Sequence, residues 1–330
     1  MRIIASFVVS FLVSALLGKV LIPWLRALKA GQTIKEIGPS WHMSKQGTPT
    51  MGGIMFIVGM LAAVLTAGFP DLTAGHFGGL FVFLFALVFG AIGLFDDYMK
   101  VKYKKNEGLT AAQKFLLQLA AAVLFVVLLR NLGYLNSELY IPFVNTSIQL
   151  PWVVYMAFAA FVIVGTVNSV NITDGVDGLA TGVTMPVSLF YVAVAAAWGY
   201  QELGVFAAAM FGGLCAFLIY NFHPAKVFMG DTGSLFLGGA VAGMAFCLDI
   251  PLILVLVGII YIAETMSDII QVTYYKATHG KRIFRMAPLH HHFEMGGWSE
   301  VKLFLVFTLI TAACCILAYW GVINRFPVVM

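Results

Sequence analysis

The chain has 330 residues, of which 61% are hydrophobic and only 10% are charged, and its formal net charge is +4. A soluble domain carries about 25% charged residues, so a water-soluble fold would have too little polar surface to cover this chain. The small net charge and the lack of a basic stretch interleaved with aromatic residues argue against a nucleic-acid-binding protein.

Continuous apolar runs predict an all-α integral membrane protein. In lipid every backbone polar group needs an internal partner, so only helices and closed barrels span a membrane. Barrel strands would alternate polar with apolar residues, and these runs do not alternate. Each run has about the twenty residues that a spanning helix needs. The ten predicted spans are roughly 3–22, 51–68, 77–96, 112–131, 151–170, 181–198, 203–221, 234–249, 251–275 and 303–323. The first run is long, and Lys19, Arg26 and Lys29 lie at its end or just beyond it, so we predict a retained helix and not a signal peptide.

Lysine and arginine predict the orientation. Sixteen of the nineteen lie in one alternate set of loops and adjoining helix ends, and only Arg2, Arg130 and Arg325 lie on the other side. By the positive-inside rule the first set is cytoplasmic, which places both termini outside. The five cytoplasmic loops are about 23–50, 97–111, 171–180, 222–233 and 276–302. The outer segment 132–150 is predicted to be a small extended or hairpin segment, with a plain linker as the alternative, and the whole chain, 1–330, is predicted to be a single membrane domain.

Five of the rare acidic residues fall at the predicted cytoplasmic interface. They are Asp96, Asp97, Asp174, Asp177 and Asp231. A carboxylate near the hydrocarbon costs a few kcal/mol, so it is usually paired or functional. The adjacent aspartates end a predicted inward-running helix, where negative charge is disfavoured unless a cation binds. Oxygen ligands at an interface predict Mg²⁺, although a helix-capping role for Asp231 remains an alternative.

Glycine-rich turns accompany these carboxylates. The loop 171–180 contains Asn171, Asp174 and Asp177, and we predict helices that start after Gly178 and Gly233. Free amides at such helix starts favour bound phosphate. The spacings of an EF-hand and of a Walker A loop do not occur in the chain.

The run His290, His291, His292 lies close to Lys281, Arg282 and Arg285. Successive helical residues point about 100° apart, so three neighbours cannot bind one metal ion. The histidines and the nearby basic residues together predict an anion-binding loop. The alternative is a plain basic loop at the membrane surface. Within the ninth span, Glu264 and Asp268 share one helix face and either line a polar cavity or pair with lysine or histidine. The four cysteines lie in apolar runs and predict free buried thiols.

Several motifs together carry a family resemblance. They are PSWHMSKQGTPTMGG at 39–53, FDDYMK at 95–100, NITDGVDGLA at 171–180, NFHPAKVFMGDTGSLFLGG at 221–239 and APLHHHFE at 287–294. With these motifs in this order, the chain resembles the polyprenyl-phosphate N-acetylhexosamine-1-phosphate transferases. The resemblance runs from one end of the chain to the other. Within these transferases, the chain is most similar to the phospho-MurNAc-pentapeptide transferases.

The resemblance implies a reaction and a location. Phospho-MurNAc-pentapeptide would move from UDP-MurNAc-pentapeptide to undecaprenyl phosphate, giving lipid I and UMP for peptidoglycan synthesis. The enzyme would be a multi-pass homodimer in the bacterial plasma membrane, surrounded by membrane lipid, with its active site on the cytoplasmic face. A one-step transfer and a two-step scheme through a phospho-aspartyl intermediate both remain open.

The resemblance also implies roles for individual residues. Asp231 and Asp97 would hold Mg²⁺, Asp96 would deprotonate or orient the lipid phosphate, and His290 would contact the phosphates, which makes these four the catalytic set. Substrate binding would fall to Lys45, Asn171, Asp174, Asp177, Asn221, Phe228, His291 and His292, with Phe228 stacked on uracil.

Two other functions compete with this interpretation. A sister transferase that uses UDP-GlcNAc would share the aspartates and the Mg²⁺ chemistry, but the HHHFE segment resembles the muramyl branch. A transporter would place ionisable residues at the bilayer midplane of repeated halves. Five of the acids lie instead at one predicted interface, and the sequence has no internal repeat.

Overall fold

The computed structural model describes residues 1–28, 45–103 and 108–325, and these are predominantly helical. The helices are α1 (Arg2–Ala27), α2 (Ile54–Thr66), α3 (Phe69–Thr73), α4 (Gly78–Tyr103), α5 (Ala111–Asn131), α6 (Trp152–Thr173), α7 (Leu179–Trp198), α8 (Gln201–Asn221), α9 (Gly230–Cys247), α10 (Leu254–Val257), α11 (Ile259–Ala277), α12 (Leu289–Glu294) and α13 (Glu300–Val322). Most of the first predicted cytoplasmic loop and the start of the first motif lie outside the described residues.

An antiparallel hairpin joins α5 to α6. Strand β1 (Glu138–Ile141) pairs with β2 (Thr146–Gln149), with Glu138 opposite Gln149. The hairpin predicted for 132–150 is therefore confirmed. It packs on the end of α13, where the Phe143 amide donates to the Gly321 carbonyl at 2.8 Å.

Seven of the described helices are long and apolar enough to cross a membrane: α1, α4, α5, α6, α7, α8 and α13. The segment Pro251–Ala277 has two parts that meet at 80° near Gly258. If these parts count as one span, the described residues contain eight candidate spans. This confirms an all-α membrane protein. The ten spans and the outer position of both termini stay predictions, because α2 has only 13 residues and α9 is less apolar.

Helix α9 lies at the centre of the bundle, where every residue from Thr232 to Phe246 is buried. Its neighbours approach closely because glycines face them. A Cβ added at Gly93 of α4 would overlap the Asp231 carbonyl, and one added at Gly53 would overlap the backbone of Gly233. The backbones of α4 and of the segment before α2 therefore touch the first turn of α9.

Helix α1 packs against α8 through small residues four positions apart. Ser6, Ser10, Ser14 and Gly18 are all buried, and the Ser6 hydroxyl donates to the Val205 carbonyl at 2.7 Å. Without a hydrophobic driving force between helices in lipid, small residues favour such close packing.

Two helix boundaries differ from the prediction. Helix α4 continues to Tyr103, so Asp96 and Asp97 lie inside it and not at its negative end. Helix α9 begins at Gly230 instead of Gly233, which makes Asp231 a residue of its first turn. The helix-capping alternative for Asp231 is therefore wrong. Glycine at four of the first ten positions weakens the apolar pattern by which the start is predicted.

We expect Gly93→Ala to lower the stability of the protein in detergent, because the new methyl group meets backbone that cannot move away. Overpacking of this kind costs about 1–3 kcal/mol. Thermal unfolding of the purified protein measures it.

The matched control is Gly165→Ala in α6, where a Cβ would meet nothing within 4 Å. Alanine there removes the helix penalty of glycine, about 1 kcal/mol, without a clash. Equal unfolding midpoints for the two variants would contradict the close packing of α4 on α9.

Candidate active site

A carboxylate of α4 binds the N-terminus of α9. The Asp97 side chain, only 3% exposed, accepts the Asp231 amide at 3.2 Å, the Thr232 amide at 2.9 Å and the Thr232 hydroxyl at 2.7 Å. The first amides of a helix have no partner within it, and its N-terminus carries partial positive charge. Asp97 therefore fixes the first turn of α9 and, with it, the side chain of Asp231.

The two carboxylate oxygens of Asp231 have different partners: two lysine ammonium groups contact one oxygen, and a side-chain amide contacts the other. Its Oδ2 lies 2.8 Å from Lys100 Nζ and 3.0 Å from Lys114 Nζ. Its Oδ1 accepts Asn171 Nδ2 at 2.7 Å, and Asn171 also contacts the Ser234 hydroxyl at 2.7 Å. Residues from α4, α5 and α6 therefore converge on one carboxylate of α9.

Asp96 completes this acidic cluster. Its Oδ1 accepts the Leu109 amide at 2.7 Å, and its Oδ2 lies 2.6 Å from Lys100 Nζ, one helical turn further along α4. Lys100 therefore bridges Asp96 and Asp231. The cluster brings together three carboxylates and two ammonium groups, and all three aspartates are among the predicted catalytic residues.

The donor set of the acidic cluster fits a divalent cation. One oxygen from each of Asp96, Asp97 and Asp231 lies within 4.8 Å of the others. Carboxylate oxygens are the ligands that Mg²⁺ prefers, and Mg²⁺ usually takes one or two of them together with waters and substrate phosphates. Asp97 and Asp231 each accept three contacts, and a carboxylate has about four lone-pair sites. The partners of Asp97 are fixed groups of the first turn of α9, whereas two of the partners of Asp231 are lysine side chains that an incoming cation can displace. Asp96 and Asp231 are therefore the better-placed ligands.

A second cluster surrounds Lys45, which lies directly after an undescribed segment. Its ammonium contacts Asp177 Oδ1 at 2.8 Å and Glu300 Oε2 at 2.6 Å. Glu300 Oε2 also accepts the Asp177 amide at 2.8 Å. His223 Nδ1 lies 2.9 Å from Asp177 Oδ2. Asp177, His223 and Glu300 have metal-like spacing, but the Lys45 ammonium already lies between the two carboxylates.

These residues line a cavity of about 480 Å³. The rest of its wall comes from Thr48, Pro224, Ala225, Glu294, Trp298 and Ser299. The wall thus combines the segments after residues 45, 222 and 293 with the loop that contains Asp177. Its size suits part of a small-molecule substrate.

One short segment joins the two clusters. It consists of the last residues of α6 and the turn that follows them, and is called the loop 171–178. At its start Asn171 contacts Asp231, and at its end Asp177 contacts Lys45. Asp174 lies between them. Desolvation, followed by the negative charges of Asp231, Asp97 and Asp177, raises the pKa of Asp174 well above its usual range. A ligand that reaches both clusters must pass this loop.

The three histidines begin α12, and the structure gives each a different partner. His290 Nδ1 lies 2.9 Å from Glu264 Oε2, and His291 Nδ1 lies 2.7 Å from Glu294 Oε2. His292 Nδ1 accepts the Arg285 amide at 3.1 Å. As predicted, the histidines do not converge on one metal ion. Of the two alternatives for Glu264, pairing with histidine is confirmed.

Two predicted substrate-binding residues hold a loop in place. Asn221 donates to the Val227 carbonyl at 3.0 Å and accepts the Thr181 hydroxyl at 3.0 Å. The Phe228 amide donates to the Pro49 carbonyl at 2.8 Å, and the Phe228 carbonyl accepts the Gly52 amide at 2.8 Å. The half-buried Phe228 ring lies at this junction, and its stacking on uracil stays a prediction.

Several residues of the site were not identified from the sequence. Lys100 could have been found, because a lysine four residues after an aspartate on a helix pairs with it. Lys114, Glu300 and His223 had no such local signal, because their partners are 117, 123 and 46 residues away in the chain.

Comparison with known proteins relates this geometry to one family. Residues 79–249 match the sequence model of glycosyl transferase family 4, and residues 45–57 match a phospho-N-acetylmuramoyl-pentapeptide-transferase signature. The first match contains the whole acidic cluster, and the second contains Lys45.

Full-length relatives carry the same description. A phospho-N-acetylmuramoyl-pentapeptide-transferase of Clostridium acetobutylicum is 47% identical, and the alignment covers 97% of this chain and 99% of the relative. Proteins of that name from Acetivibrio thermocellus and Carboxydothermus hydrogenoformans are 45% and 44% identical, over 97% and 96% of this chain and 95% and 98% of the relatives.

We expect Asp174→Asn to stabilise the metal-free protein, and to do so more strongly at high pH. The raised pKa means that the folded state retains a proton that the unfolded state loses, so wild-type stability falls as the pH rises through the folded pKa. Asparagine has no such charge to bury.

Unfolding midpoints in EDTA, measured from about pH 5 to about pH 9, test this expectation. The difference between variant and wild type should widen as the pH rises. A difference that is constant or that shrinks would contradict the environment described for Asp174.

Proposed function

The chain belongs to the phospho-N-acetylmuramoyl-pentapeptide-transferase family, and from this we propose that it makes lipid I and UMP from UDP-MurNAc-pentapeptide and undecaprenyl phosphate. It is thus a transferase of peptidoglycan synthesis. The observation that carries the proposal is the loop 171–178, because it joins a metal-type carboxylate cluster to a cavity lined by the half-buried Lys45. A nucleoside diphosphate linked to a sugar has phosphates that suit the metal-type cluster and a nucleoside that suits the cavity.

In the proposed reaction an oxygen of the lipid phosphate attacks the β-phosphorus of UDP-MurNAc-pentapeptide, and the bond to the α-phosphate oxygen breaks. UMP leaves with that oxygen. Mg²⁺, when bound by Asp96 and Asp231 with Asp97 close by, would neutralise charge on the diphosphate and on the leaving group. Lys100 and Lys114 reduce the repulsion between the carboxylates and an incoming phosphate.

Asp96 has a modest role as a base in this scheme. A phosphate monoester has its second pKa near 6, so much of the lipid phosphate is already a dianion at neutral pH. We therefore assign Asp96 chiefly to orientation of the acceptor. We favour direct transfer over a phospho-aspartyl intermediate, because Asp97 accepts three hydrogen bonds and Asp96 contacts both Lys100 and the Leu109 amide.

The nucleotide part is proposed to occupy the cavity. Lys45 would contact the diphosphate there, while Asp174 and Asp177 hold the nucleotide-sugar and Phe228 stacks on uracil. Asn221 would act by holding the segment before Phe228, because both ends of its side-chain amide already bind protein groups. His290, His291 and His292 would contact the phosphates and the sugar-peptide part.

We also propose a membrane arrangement. Ten spans result if α2, α9 and the bent segment Pro251–Ala277 each cross, in addition to the seven apolar helices. Both termini then lie outside, and the two clusters face the cytoplasm of a bacterial plasma membrane. This side gives access to a soluble nucleotide and to a lipid phosphate at the interface. The single domain remains a prediction from the sequence, and the homodimer remains a prediction from the family resemblance.

We expect the purified protein, supplied with Mg²⁺ and undecaprenyl phosphate, to release UMP from UDP-MurNAc-pentapeptide and not from UDP-GlcNAc. EDTA should abolish the release, and Asp231→Asn should lower the rate by about 100-fold or more. The matched control is Asp71→Asn, which removes a buried carboxylate that pairs with Arg2 away from the site.

The alternatives predict other outcomes. UMP release from UDP-GlcNAc alone would identify the sister transferase. No release from either nucleotide by a folded preparation would contradict the transferase assignment and favour a transporter.

A further inference from the structure

Glu264 is a fully buried carboxylate within an apolar span. It lies on α11 with 0% of its surface exposed, among residues such as Tyr261 and Ser267. A carboxylate in such a place is costly and is retained where it has a partner or a function. The proposed reaction, as described above, makes no use of it.

The partner of Glu264 is His290 on α12. The His290 backbone amide lies 3.2 Å and 3.3 Å from the two Glu264 oxygens, and ring Nδ1 lies 2.9 Å from Oε2. An ionised carboxylate only accepts hydrogen bonds, so the ring proton lies on Nδ1. Glu264 thus fixes both the position and the tautomer of the ring.

The other ring nitrogen of His290 faces the loop that joins the two clusters. A Cβ added at Gly175 would overlap Nε2, so glycine at this position lets the ring approach the backbone beside Asp174. His290 is only 1% exposed, and within the described part of the chain Nε2 has no hydrogen-bond partner. A buried polar atom without a partner is unfavourable, and a bound ligand would supply that partner.

We propose that Glu264 is a positioning residue that holds His290 with Nε2 directed at a phosphoryl oxygen of the substrate bound along the loop 171–178. Because Nδ1 already donates to Glu264, Nε2 is the ring nitrogen that takes the proton of a P–OH group of the substrate, and that group is left as P–O⁻. The Nε2–H then donates to the phosphoryl oxygen. This inference rests on the proposed function, since it requires a phosphate ligand at that loop.

Other charged groups face the same ring. Asp268 lies one turn further along α11, His291 stacks edge-on with ring centroids 4.2 Å apart, and Asp174 neighbours Gly175. Of these, His291 contacts Glu294. Among the described residues, Glu264 is the carboxylate that contacts His290 Nδ1.

Nitrogen-15 NMR of histidine-labelled protein without substrate tests the tautomer. His290→Ala identifies the signals of this ring by subtraction. We expect a protonated Nδ1 in the wild type and in Glu264→Gln, whose amide oxygen still accepts, and loss of this preference in Glu264→Leu. A wild-type ring with a bare Nδ1, or an unchanged pattern in Glu264→Leu, would overturn the proposal.

Kinetics of UMP release test the link to catalysis. Glu264→Leu should lower kcat by about 100-fold with little change in KM, and Glu264→Gln should retain most of the rate. If Glu264 acts through His290, Glu264→Leu should add almost no further loss to His290→Ala, since effects of contacting residues are not additive. Fully additive losses, or a loss in Glu264→Gln equal to that in Glu264→Leu, would contradict the positioning role.

Controls separate this inference from the proposed function. Asp71→Asn, which also removes a buried carboxylate, should leave both the histidine signals and kcat unchanged. A wild-type protein that shows the Nδ1-protonated ring but releases no UMP would remove the proposed function and leave the tautomer established.

Discussion

The hydrogen bonds from the first turn of α9 to Asp97 are the interaction on which the rest of the site depends. Asp97 satisfies amides that α9 cannot satisfy itself, and its charge favours the positive end of that helix. The contact requires α4 and α9 to approach backbone to backbone, which Gly93 permits. Once α9 is held in this way, the Asp231 side chain lies beside Asp96, Lys100, Lys114 and Asn171 without further adjustment. A buried, glycine-rich helix therefore serves as the platform for the acidic cluster.

The charges of the site form two groups. One has an excess of carboxylates that a cation can balance, and the other already contains its own cation, Lys45. In the acidic cluster three carboxylates exceed two ammonium groups, so a divalent cation is accommodated. In the cavity the half-buried ammonium of Lys45 lies between Asp177 and Glu300, and the two carboxylates offset its partial loss of solvent. The loop 171–178 belongs to both groups, and its Gly175 lies against the ring of His290. The acidic cluster, the cavity and the Glu264–His290 pair therefore all adjoin one loop.

Much of this arrangement could be predicted from the sequence because charge is rare in the chain. Asp96, Asp97, Asp174, Asp177 and Asp231 stand out, and the positive-inside rule puts them at one end of the bundle. The hairpin at 138–149 and the divergent directions of the three histidines also follow from simple rules. Contacts between distant segments could not be predicted. Glu300 and His223 each meet Asp177 through tertiary packing, and nothing local in the sequence pairs Glu264 with His290. The start of α9 differs from the prediction because its glycines weaken the apolar pattern, and its packing against α4 and α6 is a tertiary effect that local sequence does not show.

The central claim is that carboxylates of α4 and α9 together bind one divalent cation, and electron paramagnetic resonance of Mn²⁺ tests it directly. Mn²⁺ accepts the same oxygen ligands as Mg²⁺ and its free and bound signals differ. A titration in detergent should give one bound Mn²⁺ in the wild type and in Asp71→Asn. Asp231→Asn should weaken that binding by about 10-fold or more, as expected for loss of a ligand. Equal affinity in wild type and Asp231→Asn would contradict the claim and place the cation elsewhere.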